Sequence, residues 1–354
     1  MATLKAVAAH AGVSIATASR ALSGHPRVDP HTRERVQQAA VAVGYRPNAT
    51  ARALKSNRSS LVGLVLPNVD SHFYAGISTR IQKTLGEEGY QVIMCLHGED
   101  PAVEREHLLR LQSLPVAAIV HAPTSGRSAQ EVYAEAGVEG PYVVEVNRHS
   151  ADERTDAVCC NDFEGIHQLA GTLLGHGHTR IAMITAQPRE STATERLAGL
   201  RAAFEDAGVR FDADLVYAKE YSEAWGRDAL RQIMALPEPP SAVIVPANVL
   251  VLGALEAVAD LRLSIPEDLS LVTFTDFPWH RLYNPPLTSF ERPHDAMAYE
   301  VCRLLVRHLN EAGQAPPDHP TVVRVPGQLK IRASIKTLAS TATPTSKNPQ
   351  EPVA

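Results

Sequence analysis

Apolar positions along the chain fall into two textures. Over the first sixty residues they recur at helical spacing among small side chains. Leu4, Val7 and Ala8 share one face, a second run extends from Ile15 to about Leu22, and a third carries Val36, Ala39, Ala40 and Val43. Thr3, Ser14 and Asp29 stand where N-caps are needed, Pro30 suits a first helical position, and Gly12 and Gly44 suit the breaks. The pattern predicts three short helices, the first two joined by a tight turn at Gly12, around a small and marginal core. Residues Ala49 to Lys55 have helix-forming composition but are too few to hold a helix alone in water. That segment is expected to fold only when docked.

From Leu61 onward, short apolar runs alternate with helical patterns. The runs are Leu61–Leu66, Val92–Leu96, Ala117–Val120, Tyr142–Val146, Ile181–Thr185, Ala242–Val245 and Leu269–Phe274. Between them lie Tyr74–Glu88, Val103–Leu114, Glu164–Leu174, Glu195–Ala207, Gly226–Leu236 and Val249–Ala259. This alternation predicts parallel βαβ units and a doubly wound α/β region, with strands enough for two lobes and a cleft between them. After about Thr337 the chain is rich in Ser, Thr, Pro and Ala and reads as a disordered tail, 337–354.

Composition sharpens this picture. The chain has 354 residues, 44% hydrophobic and 21% charged, which fits a globular protein of two or three domains. Its formal charge of -5 conceals a split. Residues 1–60 hold nine Lys/Arg against two Asp/Glu, a net of +7, which leaves −12 for the remainder. A basic head on an acidic body points to a polyanion-binding module joined to something else. The first residues show no apolar signal-peptide core. The best candidate membrane span, Ser241–Asp260, is interrupted by Pro246, Asn248 and Glu256 and reads as a buried strand followed by a helix. Cys95, Cys159, Cys160 and Cys302 lack CxxC spacing and read as reduced structural thiols. A cytoplasmic location without membrane attachment is expected. Phosphate-loop, dinucleotide, zinc-hydrolase and nucleophile-elbow motifs are missing, and His176-Gly177-His178 reads as a turn rather than a metal site. No enzymatic activity and no cofactor are expected.

The stretch Thr3 to Leu22 has the requirements of a helix-turn-helix. Ala8 and Ala9 permit close helix contact, Gly12 permits the turn, and Val13 anchors it. Ser14, Thr17 and Ser19 can reach phosphates, and Arg20 can reach a guanine edge. The pattern taken alone also fits an ordinary helical hairpin with a solvated face. The longer series narrows it: Ala11-Gly12-Val13-Ser14, Thr17, Ser19-Arg20, Leu22, Thr32-Arg33-Glu34-Arg35-Val36, Gly44-Tyr45-Arg46-Pro47-Asn48, Ala51-Arg52 and Leu54. With Val62-Gly63-Leu64-Val65, Arg196-Leu197-Ala198-Gly199, Gly253-Ala254-Leu255 and Asp276, the chain resembles the lactose-repressor (LacI/GalR) family over about 1–336.

That resemblance implies a three-helix helix-turn-helix head (1–46), a hinge helix (47–58) and a two-lobed, periplasmic-binding-protein-like effector and dimerisation core (59–336). Lobe one would span about 61–160 plus 291–321, and lobe two about 161–290 plus 322–336. It implies a sequence-specific transcriptional regulator of double-stranded DNA at a palindromic operator. The implied regulator is a repressor of a carbohydrate operon controlled by a sugar, sugar acid or sugar phosphate; an activator or a co-repressed regulator answering a non-sugar metabolite is the alternative. A homodimer is implied, with a tetramer as a further assembly, associated with the nucleoid when bound to DNA. By position, Ile15, Ala16 and Arg20 would read base edges, Leu54 would wedge into the minor groove beside Lys55, and Leu4, Ser14, Thr17, Ser19 and Asn48 complete the DNA-contacting set. The implied effector contacts are Phe73, Tyr74, Asn147, Arg148, Thr192, Arg196, Tyr221, Asn248 and Asp276. Two departures stand out: Asn248-Val249 and Thr275-Asp276 lack carboxylates that in the family commonly accept from sugar hydroxyls. With Arg148, Arg189 and Arg196 nearby in the pattern, the expected effector is anionic, such as a sugar acid or sugar phosphate, or else unusually poor in hydroxyls.

Overall fold

A computed structural model describes residues 3–22, 25, 27–45, 59–124, 126–151, 155–187, 189–310 and 320–339. The chain packs as two compact units that divide between Ser60 and Leu61. The expected hinge residues Asn48, Leu54 and Lys55 lie outside the described residues.

The first unit holds α1 (Leu4–His10), α2 (Ile15–Leu22) and α3 (Pro30–Ala42). Each helix begins at its expected cap. Thr3 Oγ1 accepts from the Ala6 N–H at 3.2 Å, Ser14 Oγ from Thr17 N–H at 3.0 Å, and Asp29 Oδ2 from Thr32 N–H at 2.9 Å. Such caps contribute about 1 kcal/mol each. Gly12 makes the corner at φ +64, where a Cβ would be strained. The core is small: Val7, Ala8, Ala11, Ala18, Ala21, Val28, Val36, Ala39 and Ala40 are buried together.

The second unit contains two six-stranded sheets. The first has the order β11-β5-β4-β3-β1-β2, where β1 is Leu61–Leu66, β2 Gln91–Leu96, β3 Val116–His121, β4 Tyr142–Val146, β5 Asp156–Cys160 and β11 Val322–Val325. The second has the order β12-β10-β9-β8-β6-β7, where β6 is Ile181–Ala186, β7 Val216–Lys219, β8 Ala242–Val245, β9 Ser270–Thr273, β10 Thr288–Glu291 and β12 Gln328–Lys330. All pairings are parallel except β10 with β12. Parallel strands need helical crossovers on both faces, and the near-continuous burial of β1, β6 and β8 reflects this. The crossovers in lobe one are α4 (His72–Glu87), α5 (Pro101–Gln112) and α6 (Ala129–Glu135), joined by α11 (His294–Asn310), which packs on α4. Lobe two carries α7 (Asp162–Gly175), α8 (Ser191–Asp206), α9 (Glu223–Met234) and α10 (Asn248–Asp260).

The chain passes between the lobes three times: at Asn161, at Arg292-Pro293 and at Pro326-Gly327. The expected lobe boundaries therefore move. Glu291 belongs to lobe two, because it pairs with Gln328 in the second sheet. Residues 322–325 belong to lobe one, because they pair with Ala157–Cys160. The ordered core also extends past the expected boundary: the Leu338 N–H donates to the His176 carbonyl at 2.8 Å, so the chain is docked as far as Leu338. Residues 340–354 lie outside the described residues.

The four thiols are free, and Cys159 and Cys160 lie side by side in β5. His178 is buried, with Nδ1 at 2.8 Å from Ser241 Oγ and Nε2 at 2.9 Å from the Lys336 carbonyl, so it ties the last segment to the second sheet. Among the described residues no His/Cys/Asp/Glu group could hold a metal ion, and no helix is long and apolar enough to cross a membrane.

Candidate functional site

A cavity of about 330 Å³ opens between the two lobes. Its walls come from the segments that follow β1, β2 and β4 in lobe one and β6, β7, β8, β9 and β10 in lobe two. Strand carboxyl ends are where open α/β sheets bind ligands, because the loops there are free of sheet pairing and face a common crevice. Phe73, Tyr74, Asn147, Arg148, Thr192, Arg196, Tyr221 and Asn248 all line it. Asp276 does not. Partial burial would raise its carboxyl, but accepting from Arg332 Nη2 at 2.7 Å and from Ser289 Oγ at 2.8 Å holds it below the usual carboxylate range. It is a structural acid of the second sheet, and the partner that takes it lies 56 residues further on. Arg189 is exposed and also stands outside the lining. Glu99, Glu223, Asp70, Phe277 and Arg292 line the cavity without having been anticipated.

The electrostatics of the cleft differ from the expectation of three available arginines. Arg148 forks onto Glu99, with Nη1 to Oε2 at 2.7 Å and Nη2 to Oε1 at 2.8 Å, and Nη2 also lies 3.3 Å from Glu190. Burial alone would raise the Glu99 carboxyl; the hydrogen bonds and charge of Arg148 outweigh it and hold Glu99 low. Glu190, half-buried, is raised by that burial in spite of Arg148. Arg196 donates from Nε to Asp162 at 2.6 Å and lies 4.7 Å over the Phe274 ring. Both arginines are thus neutralised within the protein. Burial pushes the Tyr74 hydroxyl up to about 12, so it enters as a neutral group, accepting from Asn147 Nδ2 at 2.7 Å.

Two lining residues adopt left-handed backbone, Glu99 at φ 64 and Asn147 at φ 70. Asn tolerates this region; Glu does so at a cost of order 1–3 kcal/mol, tolerated where surrounding contacts fix the residue. Here the fixing contact is the fork from Arg148. The lobes are also tied beside the cleft. Glu195 on α8 accepts from Arg324 of β11 at 2.7 and 2.8 Å and lies 3.0 Å from His149 Nε2.

The head offers a second candidate surface. On α2, Ala18 and Ala21 are buried, whereas Ile15, Ala16 and Arg20 are exposed on the opposite side. Ser14 and Thr17 are joined, Oγ to Oγ1, at 2.8 Å, so Ser14 serves first as the helix cap. Ser19 is half-buried, and Leu4 packs against the head's apolar core, where its contribution is structural as well.

Residues 3–48 match the model of bacterial regulatory proteins of the lacI family, and residues 170–335 match that of a periplasmic binding protein-like domain. The HTH-type transcriptional repressor PurR of Histophilus somni is 26% identical over 338 residues, 96% of this chain and all of the relative. A transcriptional regulator CelR–cellobiose complex superposes with TM-score 0.68 at 29% identity, covering 94% of this chain and 99% of that one. The lac repressor dimer bound to operator and an anti-inducer shares the fold, with TM-score 0.78 at 20% identity over 94% of this chain and 99% of that one. These relatives are regulators and not enzymes. The chain joins a lacI-family helix-turn-helix head to a periplasmic-binding-protein-like core, and it is similar along nearly its whole length to LacI-family DNA-binding transcriptional regulators.

Proposed function

We propose that the protein represses transcription as a homodimer in the bacterial cytoplasm, and that a small hydroxylated ligand in the interlobe cleft sets its affinity for a palindromic operator. The observation that carries this reading is the presence in one chain of an exposed recognition helix and a cleft of about 330 Å³ walled by strand carboxyl ends. The aromatic faces of Phe73, Tyr74, Tyr221 and Phe277 suit the carbon faces of a ring. Asn248 Oδ1, buried without a partner among the described residues, suits a ligand hydroxyl. The CelR neighbour binds cellobiose, which agrees with a ligand of sugar type.

In the head, Arg20 is assigned the main polar base contact, bidentate to guanine, with Ile15 and Ala16 against thymine methyls. Ser14, Thr17, Ser19 and Asn48 serve phosphate contact and positioning, Leu4 supports the first helix, and Leu54 with Lys55 enters the central minor groove. Gel-shift titration over a salt series tests the reading. A dimeric regulator loses operator affinity steeply with salt, in proportion to the phosphates it neutralises, and a flat salt profile would contradict it.

A further inference from the structure

Of the three arginines in the cleft, two carry their own counter-charges and one does not. Arg292 is 6% exposed and lines the cavity. Its guanidinium lies 3.6 Å over the Phe73 ring, and Nη2 donates to Asn147 Oδ1. Among the described residues no carboxylate lies within ion-pair distance of it, and Nε has no hydrogen-bond partner. The nearby Cys160 thiol, which burial pushes up to about 11, supplies no negative charge. A buried cation resting on a ring face, an amide oxygen and a neutral thiol is costly, and an entering anion relieves that cost.

We propose that Arg292 is the specificity anchor of the cleft, and that the effector is a small hydroxylated monocarboxylate, of the sugar-acid class, whose carboxylate takes the unpaired Arg292 guanidinium. The proposal rests on the cleft being the effector site. Local pairing, rather than the sum of charges, selects a single carboxylate, because among the described residues Arg292 is the cleft arginine without an acid partner. A neutral sugar leaves Arg292 uncompensated. A phosphate, near two negative charges at neutral pH, brings one more than Arg292 can answer, in a cavity whose lining also holds Asp70, Glu99 and Glu223. Arg292 also stands in the crossover between β10 and α11, so a ligand held there touches one of the three connections between the lobes.

The test is a thermal-shift and calorimetric panel on the full chain. It uses five- and six-carbon aldonates and uronates, the matched neutral aldoses and the matched sugar phosphates. The wild type is compared with Arg292→Gln, Arg292→Lys and the cleft-filling Leu252→Trp, each first shown to be folded by circular dichroism. At least one monocarboxylate raises the melting temperature of the wild type, binds at least tenfold more weakly to Arg292→Gln, and recovers part of that loss in Arg292→Lys. A neutral aldose or a phosphate binding more tightly than the matched acid overturns the proposal, as does an acid that binds Arg292→Gln unchanged or a panel without a binder. A ligand whose binding ignores Leu252→Trp overturns the cleft reading itself. One blocked by Leu252→Trp but indifferent to Arg292→Gln overturns only the role of Arg292.

Discussion

Asp162 and Arg196 illustrate how much of the cleft is structure before it is recognition. Both are almost completely buried, 2.6 Å apart, so removing one partner strands the other charge in a medium that solvates it poorly. Asp162→Ala is expected to destabilise the core by about 3–5 kcal/mol in urea unfolding, with most of that recovered in the Asp162→Ala/Arg196→Met pair. An equal loss in the double variant would show that the pair contributes more than mutual neutralisation. The histidines give opposing pH signatures. Burial lowers His280 to about 4, so the unfolded chain takes up its proton first. The stability His280 contributes is complete above about pH 6.5 and declines as pH falls toward 4. His149 is raised by Glu195, so its contribution is complete below about 6.5 and fades as pH rises through the folded value. With His97, His178 and His294 also lowered by burial, the core is expected to lose stability from pH 7 to pH 5. Denaturant midpoints of wild type and His280→Gln check this, the variant showing the shallower pH dependence.

At the scale of elements, the sequence pattern located those pieces whose signal is local. The caps Thr3, Ser14 and Asp29, the corner at Gly12 and the long buried strands are properties of a few adjacent residues, and they form where the pattern put them. Strands β5, β7, β10, β11 and β12 are no shorter than the recognisable β8 and β9, except β12, but polar members such as Asp156, Lys219, Thr288, Arg324 and Gln328 cut short their apolar runs. Their identity comes from partners far away in the chain, such as the pairing of β11 with β5. The same holds in the site. Asp276 looked like a cleft acid until Arg332 claimed it, and Arg292 gave no signal beyond its place in a crossover. Two glycines of the family-like stretches, Gly199 and Gly253, have structural reasons. A Cβ at Gly253 would come within 1.9 Å of the Glu223 carbonyl, and one at Gly199 within 2.2 Å of the Phe163 carbonyl, so these glycines let α10 approach α9 and α8 approach α7. Gly253→Ala is expected to destabilise by about 1–3 kcal/mol, read in denaturant midpoints, as the helices are forced apart. For DNA, Arg20→Ala is expected to cost about 1–3 kcal/mol of operator affinity and relax specificity at one base pair. Leu54→Ala should weaken operator binding more than binding to random duplex. Competition titrations separate the two, and equal losses for Leu54→Ala would remove its wedge role.

At the scale of the whole molecule, the charge split becomes a division of labour. The +7 of residues 1–60 faces a polyanion, while the −12 of the remainder discourages indiscriminate contact with DNA. Ligand and operator influence each other only if the ligand binds one arrangement of the lobes better than another, and coupling of this kind amounts to about 1–3 kcal/mol in either direction. The ties across the cleft, Glu195 to His149 and Arg324 and Arg148 to Glu190, are the contacts that a change in lobe arrangement must break or reform. The most direct measurement is a fluorescence-anisotropy titration of the full chain on an operator selected from random duplexes, with and without a ligand shown by thermal shift to occupy the cleft. Operator affinity is expected to change by about 5- to 150-fold while affinity for random duplex stays within twofold. An operator affinity that is the same with the cleft empty and saturated would contradict this coupling.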